Sequence, residues 1–417
     1  MVKMLLIGII KRFLFFFYQL KARFYQKRII NKIKGKDKIN VIFLVIHESV
    51  WKYSYLYDLL EKSERFNPVV VVCPYLPMGE NVMIEDLNKC YEFFKTGGYR
   101  VVKSLKDNNK WLDVNRELDP TIVFFTNPHN LTRKEYLITS FLNSLTCYVP
   151  YNFGNSHLIS LFHDQDFHNY LWNLFCETEI HKEYSVKFAR NRGRNVLTTG
   201  YPGGDMLLID KIPSDKIWKH KDKKKIIWAP HHTIDNDRSF ISFSSFLYLS
   251  DFFIEILKEY EKHIEICFKP HPLLKGKLYL HPEWGLNKTN EYFDLWETLS
   301  NASLNESDYF ELFLTSDALI HDSGSFLIEY LYTEKPTLRT DKDDTIKDRL
   351  NSFGKLAYNV HYIAKNKEDI REFLENVIEG RDPKKNERLK FKNSYLIPPN
   401  GKLASENIFY QLTKLLK

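Results

Sequence analysis

Apolar and polar positions alternate along this chain in blocks rather than in single steps. Asn40 to Ile46 (NVIFLVI) is a continuous β-branched and aromatic run, the pattern of a parallel strand buried on both faces. Val69 to Val72 and Thr121 to Thr126 repeat that character, and helical spacing fills 52–63, 80–95 and 131–145 around them. A strand at Thr146 to Val149 runs into Pro150-Tyr151-Asn152-Phe153-Gly154; helical stretches across 166–190 and a strand at Asn195 to Thr199 follow. Gly200-Tyr201-Pro202-Gly203-Gly204-Asp205 is the densest turn cluster in the chain and marks a boundary. Beyond it the alternation restarts. Strands are expected at Ile226 to Ala229, Ile264 to Lys269, 318–320 and Thr337 to Arg339, with helices over 242–262, 289–300, 323–333 and 402–416. Regular exchange of strand and helix predicts parallel sheets. The length, 417 residues, suits two α/β domains of about 200 residues each better than one core. We expect these domains to face each other across a cleft.

Ligands of open parallel sheets sit at the carboxyl ends of strands, and three polar turns fall there. Ala318 to Ile320 leads into His321-Asp322-Ser323-Gly324-Ser325 and then the amphipathic run Phe326 to Tyr332. Backbone N–H groups and hydroxyls at such a helix start suit phosphate oxygens, which assigns Asp322, Ser323, Gly324 and Ser325 to phosphate binding. The second turn is Lys269-Pro270-His271-Pro272, where two prolines hold His271 rigidly enough to donate to a phosphate oxygen or protonate a leaving phosphate. The third is Trp228-Ala229-Pro230-His231-His232; adjacent residues of an extended turn point to opposite sides, so one of the two histidines is expected to face the site. Glu329 lies one helical turn past Ser325, suited either to ribose hydroxyls or to a solvated helix face. His47-Glu48 end the first strand, a position from which His47 would act as general base on an acceptor hydroxyl. His157, His163 and His168 form a weaker acceptor-side group.

Asp164-x-Asp166 and Asp235-x-Asp237 match a metal–nucleotide spacing that arises often by chance. No H-E-x-x-H occurs, and no third ligand stands at zinc spacing from His231 and His232, so no metal site is expected. Absence of G-x-x-x-x-G-K-[ST], G-x-G-x-x-G and G-x-S-x-G removes support for P-loop ATP hydrolysis, nicotinamide chemistry and α/β-hydrolase chemistry.

Charge changes the picture at one end only. The formal net charge is +7, yet residues 1–40 carry +10 by themselves, leaving −3 for the remainder. A body without excess positive charge argues against a nucleic-acid groove. The basic tail is also apolar: Met4 to Ile10 and Phe13 to Tyr18 are separated by Lys11-Arg12. Neither run reaches the roughly 18 residues of a membrane span. Residues 1–38 therefore read as a basic amphipathic segment lying on an anionic membrane surface at the cytoplasmic face, with the protein peripheral. No small-residue cleavage site follows it. The five cysteines are odd in number and lack C-x-x-C spacing, which fits buried thiols in a reducing compartment.

WAPHH (228–232), FKPHP (268–272) and HDSGSFLIEYLYTEKP (321–336) together resemble the CDP-glycerol glycerophosphotransferase family, the teichoic-acid polymerases and their capsule or O-antigen relatives. The match covers roughly 200–340 well and the first domain loosely. The resemblance implies a GT-B fold of two Rossmann-like domains: an acceptor-side domain at 39–200, a nucleotide-donor domain at 201–395 and a C-terminal helix at 396–417. It implies transfer of a glycerol phosphate or similar polyol phosphate from a CDP donor to a membrane-linked glycan or polymer, with CMP released and no cofactor. It places the donor phosphates on His271 and on Ser323 to Ser325. From the turns themselves, Lys269, His232 and Glu329 are read as donor-binding and His231, with His271 and His47, as catalytic. The family's His-Gly-Thr-Pro base motif has no counterpart here, and His47 substitutes for it by position alone. A nucleotide-sugar glycosyltransferase shares the fold and is the first alternative; a non-catalytic glycan-binding subunit of a capsule complex is the second.

Overall fold

The computed structural model describes residues 2–33, 35–209, 216–234, 244–306, 308–341, 343 and 345–416. The chain forms two compact units. Residues 1–154, 158–205 and 396–417 make the first, and 155–157 with 206–395 the second. Asp235-x-Asp237 lies outside the described residues.

The first unit is built on a seven-stranded sheet. Its strands are β1 (Ile39–Val45), β2 (Phe66–Val72), β3 (Val101–Lys103), β4 (Ile122–Phe125), β5 (Leu145–Tyr148), β6 (Asn173–Cys176) and β7 (Val196–Thr198). They run in the order β3-β2-β1-β4-β5-β6-β7, all pairs parallel. The register sets Val41 of β1 against Pro68 on one side and Ile122 on the other. β1 is buried along almost its whole length, as its unbroken apolar run requires, with Phe43 stacked on Phe124 at 5.0 Å. The C-terminal helix Ala404–Thr413 belongs to this unit, and its Ile408 and Leu412 join the core around Phe43.

The second unit carries a six-stranded sheet. It contains β8 (Lys224–Ala229), β9 (Ile264–Phe268), β10 (Ala302–Leu304), β11 (Ala318–His321), β12 (Thr337–Thr340) and β13 (Tyr362–Ala364). The order is β10-β9-β8-β11-β12-β13, again all parallel. Trp228 anchors its core, stacked on Phe253 at 4.0 Å and on Phe268 at 5.0 Å. The strand order reverses between β8 and β11. At such a switch point the connections leave in opposite directions and open a crevice at the carboxyl ends. Two of the polar turns, after Ala229 and after His321, flank it, and the third leaves β9 next door.

The basic tail is one helix, Val2–Ile33. One side docks on the first unit: Phe15, Ala22 and Ile33 are buried, Phe15 lies 5.5 Å from Tyr170, and Arg190 covers the Phe15 ring at 4.0 Å. The other side leaves Phe13, Phe17, Leu20 and Phe24 at 52–70% exposure on successive turns. Among the described residues, no helix is long and apolar enough to cross a membrane.

Several expected elements differ. The region 166–190 is not a helical stretch; it is broken by β6, whose four residues NLFC lie between Asp166–Tyr170 and Glu179–Phe188. The helix expected at 131–145 is two 3-10 turns, Lys134–Tyr136 and Ile138–Ser140, split by extended Leu137 (ψ 158°). The helix expected at 323–333 is one α turn, Phe326–Glu329, followed by 3-10 backbone at Tyr330–Thr333.

Candidate functional site

The turns that leave β8 and β9 are zipped to one another by backbone. The Lys269 N–H donates to Trp228 O at 2.8 Å and the His271 N–H to Pro230 O at 3.0 Å, so the exits of β8 and β9 run side by side. This brings three imidazoles together. Ring centroids of His231 and His232 are 4.3 Å apart, those of His232 and His271 4.3 Å, and those of His231 and His271 5.0 Å. Both histidines of the adjacent pair thus take part, where one was expected.

Hydrogen bonding fixes the tautomer of His271. Its Nδ1 accepts from the Leu273 N–H at 3.1 Å, so the ring proton sits on Nε2. Burial first, then His232, Lys269 and Lys277, push its pKa down to about 3. His231 is held well below the ordinary range, again by burial first and then by His232, His271, Arg339 and Lys277. His271 is therefore neutral near neutral pH, with its proton on Nε2.

Asp322 does not face a phosphate. It is 1% exposed; its Oδ1 accepts from the His231 N–H at 2.5 Å, and its Oδ2 accepts from the N–H and hydroxyl of Ser245 at 2.7 and 2.9 Å. Desolvation raises its pKa against these hydrogen bonds. The carboxylate ties the β8 exit, the β11 exit and the start of the helix Phe246–Glu259 together, and its assignment to phosphate binding is corrected accordingly. A buried carboxylate facing a phosphate would also repel it.

The turn itself is pinned from below. Buried Arg339 donates from Nη1 to Ser323 O at 3.1 Å and from Nε to Asp341 Oδ1 at 2.8 Å. The Asn155 amide donates to Gly324 O at 2.6 Å. With these carbonyls turned inward, Ser325 keeps a hydroxyl that makes no cap hydrogen bond. Among the described residues, a Cβ on Gly324 would meet nothing within 4 Å. The helix behind, Phe326–Glu329, is too short for a full macrodipole. Glu329 is not a solvated acid: it is 3% exposed and accepts from the Tyr309 hydroxyl at 2.5 Å. Lys269 is 6% exposed, and burial lowers its pKa.

His231, His232 and His271 place their nitrogens within 4.8 Å of one another. The third nitrogen that linear spacing did not supply comes from a neighbouring strand. Imidazoles so grouped can hold a divalent ion, but Lys269, Lys277 and Arg339 add positive potential here and the grouping contains no carboxylate. That field favours an anion. Asp164 and Asp166 both pair with Arg190, at 3.2 and 2.8 Å, and form an ion-pair cluster.

His47 stands at the end of β1 with its ring 4.6 Å from that of Tyr75. The group His157, His163 and His168 does not hold together. His157 belongs to the second unit, with Nδ1 2.8 Å from Arg349 O, while His163 and His168 are buried in the first. Sequence reasoning missed Ser245, Arg339 and Tyr309, which only long-range pairing reveals.

Two α/β units, each on an all-parallel sheet, make the architecture of the GT-B fold. The chain matches the family model for CDP-glycerol:poly(glycerophosphate) glycerophosphotransferase over residues 163–413 and belongs to that family. It is a glycerophosphotransferase-like enzyme. No curated protein matches it in sequence. Among solved structures it is similar to a variant of the wall teichoic acid polymerase TagF, with a TM-score of 0.62 at 16% identity over 96% of this chain and 93% of that one. A TagF structure soaked with CDPG gives 0.59 at 16% identity over 96% and 93%. UDP-GlcNAc 2-epimerase from Neisseria meningitidis, bound to UDP-GlcNAc, gives 0.57 at 16% identity over 90% and 100%. At these identities the likeness concerns the fold.

Proposed function

We propose that this enzyme moves glycerol phosphate, or a similar polyol phosphate, from a CDP-activated donor to a membrane-linked glycan or polymer, releasing CMP. The observation that carries this reading is the cradle at the six-stranded switch point. There the neutral Nε2–H donor of His271, with His231, His232 and Lys269, accompanies the open turn Ser323–Gly324–Ser325. Such a set holds a diphosphate through directed donors and positive potential. Buried Glu329 is the candidate for the ribose.

An acceptor hydroxyl attacks the phosphorus that bears the polyol. The new O–P bond forms as the bond to the bridging oxygen breaks, and CMP leaves with that electron pair. Positioning and charge neutralisation supply most of the rate. The acceptor side belongs to the seven-stranded unit, where His47 stands at the rim.

The exposed aromatic face of Val2–Ile33 supports attachment to an anionic membrane surface. Phe13, Phe17, Leu20 and Phe24 form a stripe with exposed Arg12, Lys21, Arg23, Lys27 and Arg28 nearby on the helix. Rings of this kind enter the headgroup boundary while the cations meet lipid phosphates. The test of function is a donor panel of CDP-glycerol, CDP-ribitol and nucleotide sugars. Sugar transfer from a nucleotide sugar would favour a glycosyltransferase, and binding without turnover a non-catalytic subunit.

A further inference from the structure

A full positive charge is buried in the sheet of the second unit. Arg339 is the third of the four residues of β12, a strand buried along its whole length, and is 1% exposed. A guanidinium taken out of water is costly unless its donors are used. Here Nε donates to Asp341 Oδ1 at 2.8 Å and Nη1 to Ser323 O at 3.1 Å. Asp341 is fixed in turn, because the Tyr358 hydroxyl donates to its Oδ2 at 2.5 Å. A chain of polar contacts thus runs from the helix Ser352–Asn359 through Asp341 and Arg339 to a carbonyl of the turn after β11. The next carbonyl is held as well. The Asn155 amide donates to Gly324 O at 2.6 Å, and Asn155 is itself anchored, its O accepting from the Asn351 N–H at 2.9 Å. A Cβ on Gly354 would stand 2.6 Å from Asn155 O, so glycine there lets the Asn155 backbone lie against the helix. All these residues belong to the second unit.

Two held carbonyls settle two peptide planes. Every peptide bond among the described residues is trans, and in a trans peptide the N–H points opposite to the C=O. With Ser323 O on Arg339, the Gly324 N–H points away from Arg339. With Gly324 O on Asn155, the Ser325 N–H points away from Asn155. Among the described residues neither N–H meets an acceptor. Successive backbone N–H groups of a turn make an anion-binding concavity.

We propose that Arg339 and Asn155 are positioning residues of the donor site: by holding the carbonyls of Ser323 and Gly324 they aim the N–H groups of Gly324 and Ser325 at a phosphate of the CDP-activated donor. This rests on the reading above. Arg339 acts through Ser323 and Asn155 through Gly324, so neither side chain touches the donor. The buried ion pair of Arg339 with Asp341 then has a use beyond stability, which a well-packed apolar pair would serve as well. Asp341 and Tyr358 extend the same support, since they set the plane of the guanidinium.

Two variants of the full chain test this. Asn155→Ala removes one of the two holds and leaves the buried ion pair in place. Arg339→Met combined with Asp341→Asn removes the other hold. Both charges go together, which spares the fold the unpaired buried charge that either change alone would leave, and the asparagine keeps an acceptor for Tyr358. Melting temperature and circular dichroism establish that each variant is folded. CDP-glycerol, read by calorimetry, should bind each folded variant roughly 10-fold more weakly or worse, the size of one lost hydrogen bond to a charged oxygen. Cytidine, which carries no phosphate, should bind with wild-type affinity in an NMR titration. A merely structural role would weaken both ligands alike. Wild-type affinity for CDP-glycerol in either folded variant, or a loss shared equally by cytidine, would overturn the assignment and leave the proposed function standing. Should the double variant not fold, Asn155→Ala decides alone by the same two readings. A wild-type protein that does not bind CDP-glycerol would instead overturn the reading beneath it.

Discussion

Replacing His271 by asparagine would remove one hydrogen-bond donor while leaving the acceptor that the fold uses. In the folded chain His271 Nδ1 accepts from the Leu273 N–H at 3.1 Å, and the ring proton lies on Nε2. Asparagine Oδ1 stands in for Nδ1, whereas nothing replaces the longer reach of Nε2–H. The lost group is one preorganised donor to a phosphate on which charge develops. Such a donor is worth about 10²–10³ in kcat, or about 2.7–4 kcal/mol. His271→Ala should add a cost of about 1–3 kcal/mol in stability, because the Leu273 N–H then loses its partner. Single-turnover release of CMP from CDP-glycerol, measured beside the melting temperature, separates the two effects. Asparagine should be slow and stable, alanine slow and less stable. Asparagine at the wild-type rate would refute the donor role. A normal rate limb moving with His271 ionisation would refute the tautomer, since a ring held to about 3 does not titrate near neutrality.

Ser323→Ala and Ser325→Ala should each weaken CDP-glycerol binding roughly 10-fold or more with an unchanged melting temperature, since a hydrogen bond to a charged oxygen is worth about 1.5–3 kcal/mol; calorimetry reads this, and undiminished affinity in both would remove the turn from the site. Deleting residues 1–36 should abolish sedimentation with anionic vesicles, and added salt should release the full-length chain, at about 1 kcal/mol per basic residue near the surface; indifference of the intact protein to such vesicles would refute the attachment. Stability should fall on acidification. The buried imidazoles of His163, His168, His181 and His361 are each lowered to about 3, so between there and the ordinary value the unfolded chain binds more protons. Their contribution is complete above about pH 6.5 and is lost as pH falls toward 3. Glu177 and Asp205, raised to about 7 and about 6, and Asp322, also raised, pull the other way, while His271, lowered to about 3, and His231 and His321, held well below the ordinary value, add to the histidine side. A urea midpoint that rises between about pH 7 and pH 5 would contradict this balance.

The three polar strand exits of the second unit were legible because such turns announce themselves. Proline and small polar residues stand at the ends of apolar runs at 228–232, 268–272 and 321–325, and each marks a strand exit. What those residues do was less legible. Asp322 has the composition of a phosphate turn, yet its oxygens are taken by His231 and by Ser245, which lies 77 residues away in sequence. The meeting of His271 with His231 and His232 depends on β9 pairing with β8, and linear spacing carries no trace of it. In the first unit, β6 escaped because four apolar residues between two helical stretches share the periodicity of both. His157 looked like a companion of His163, but the chain crosses between units around it.

Phosphoryl transfer from a CDP-activated polyol shows itself in the products of one reaction. Full-length protein on anionic vesicles carrying a lipid-linked polyol phosphate acceptor should consume CDP-glycerol labelled in both the glycerol and its phosphate. CMP should be released in an amount equal to the phosphate and glycerol that appear together on the acceptor, and no CDP should form. CDP as the nucleotide product, or glycerol transferred without its phosphate, would contradict that transfer.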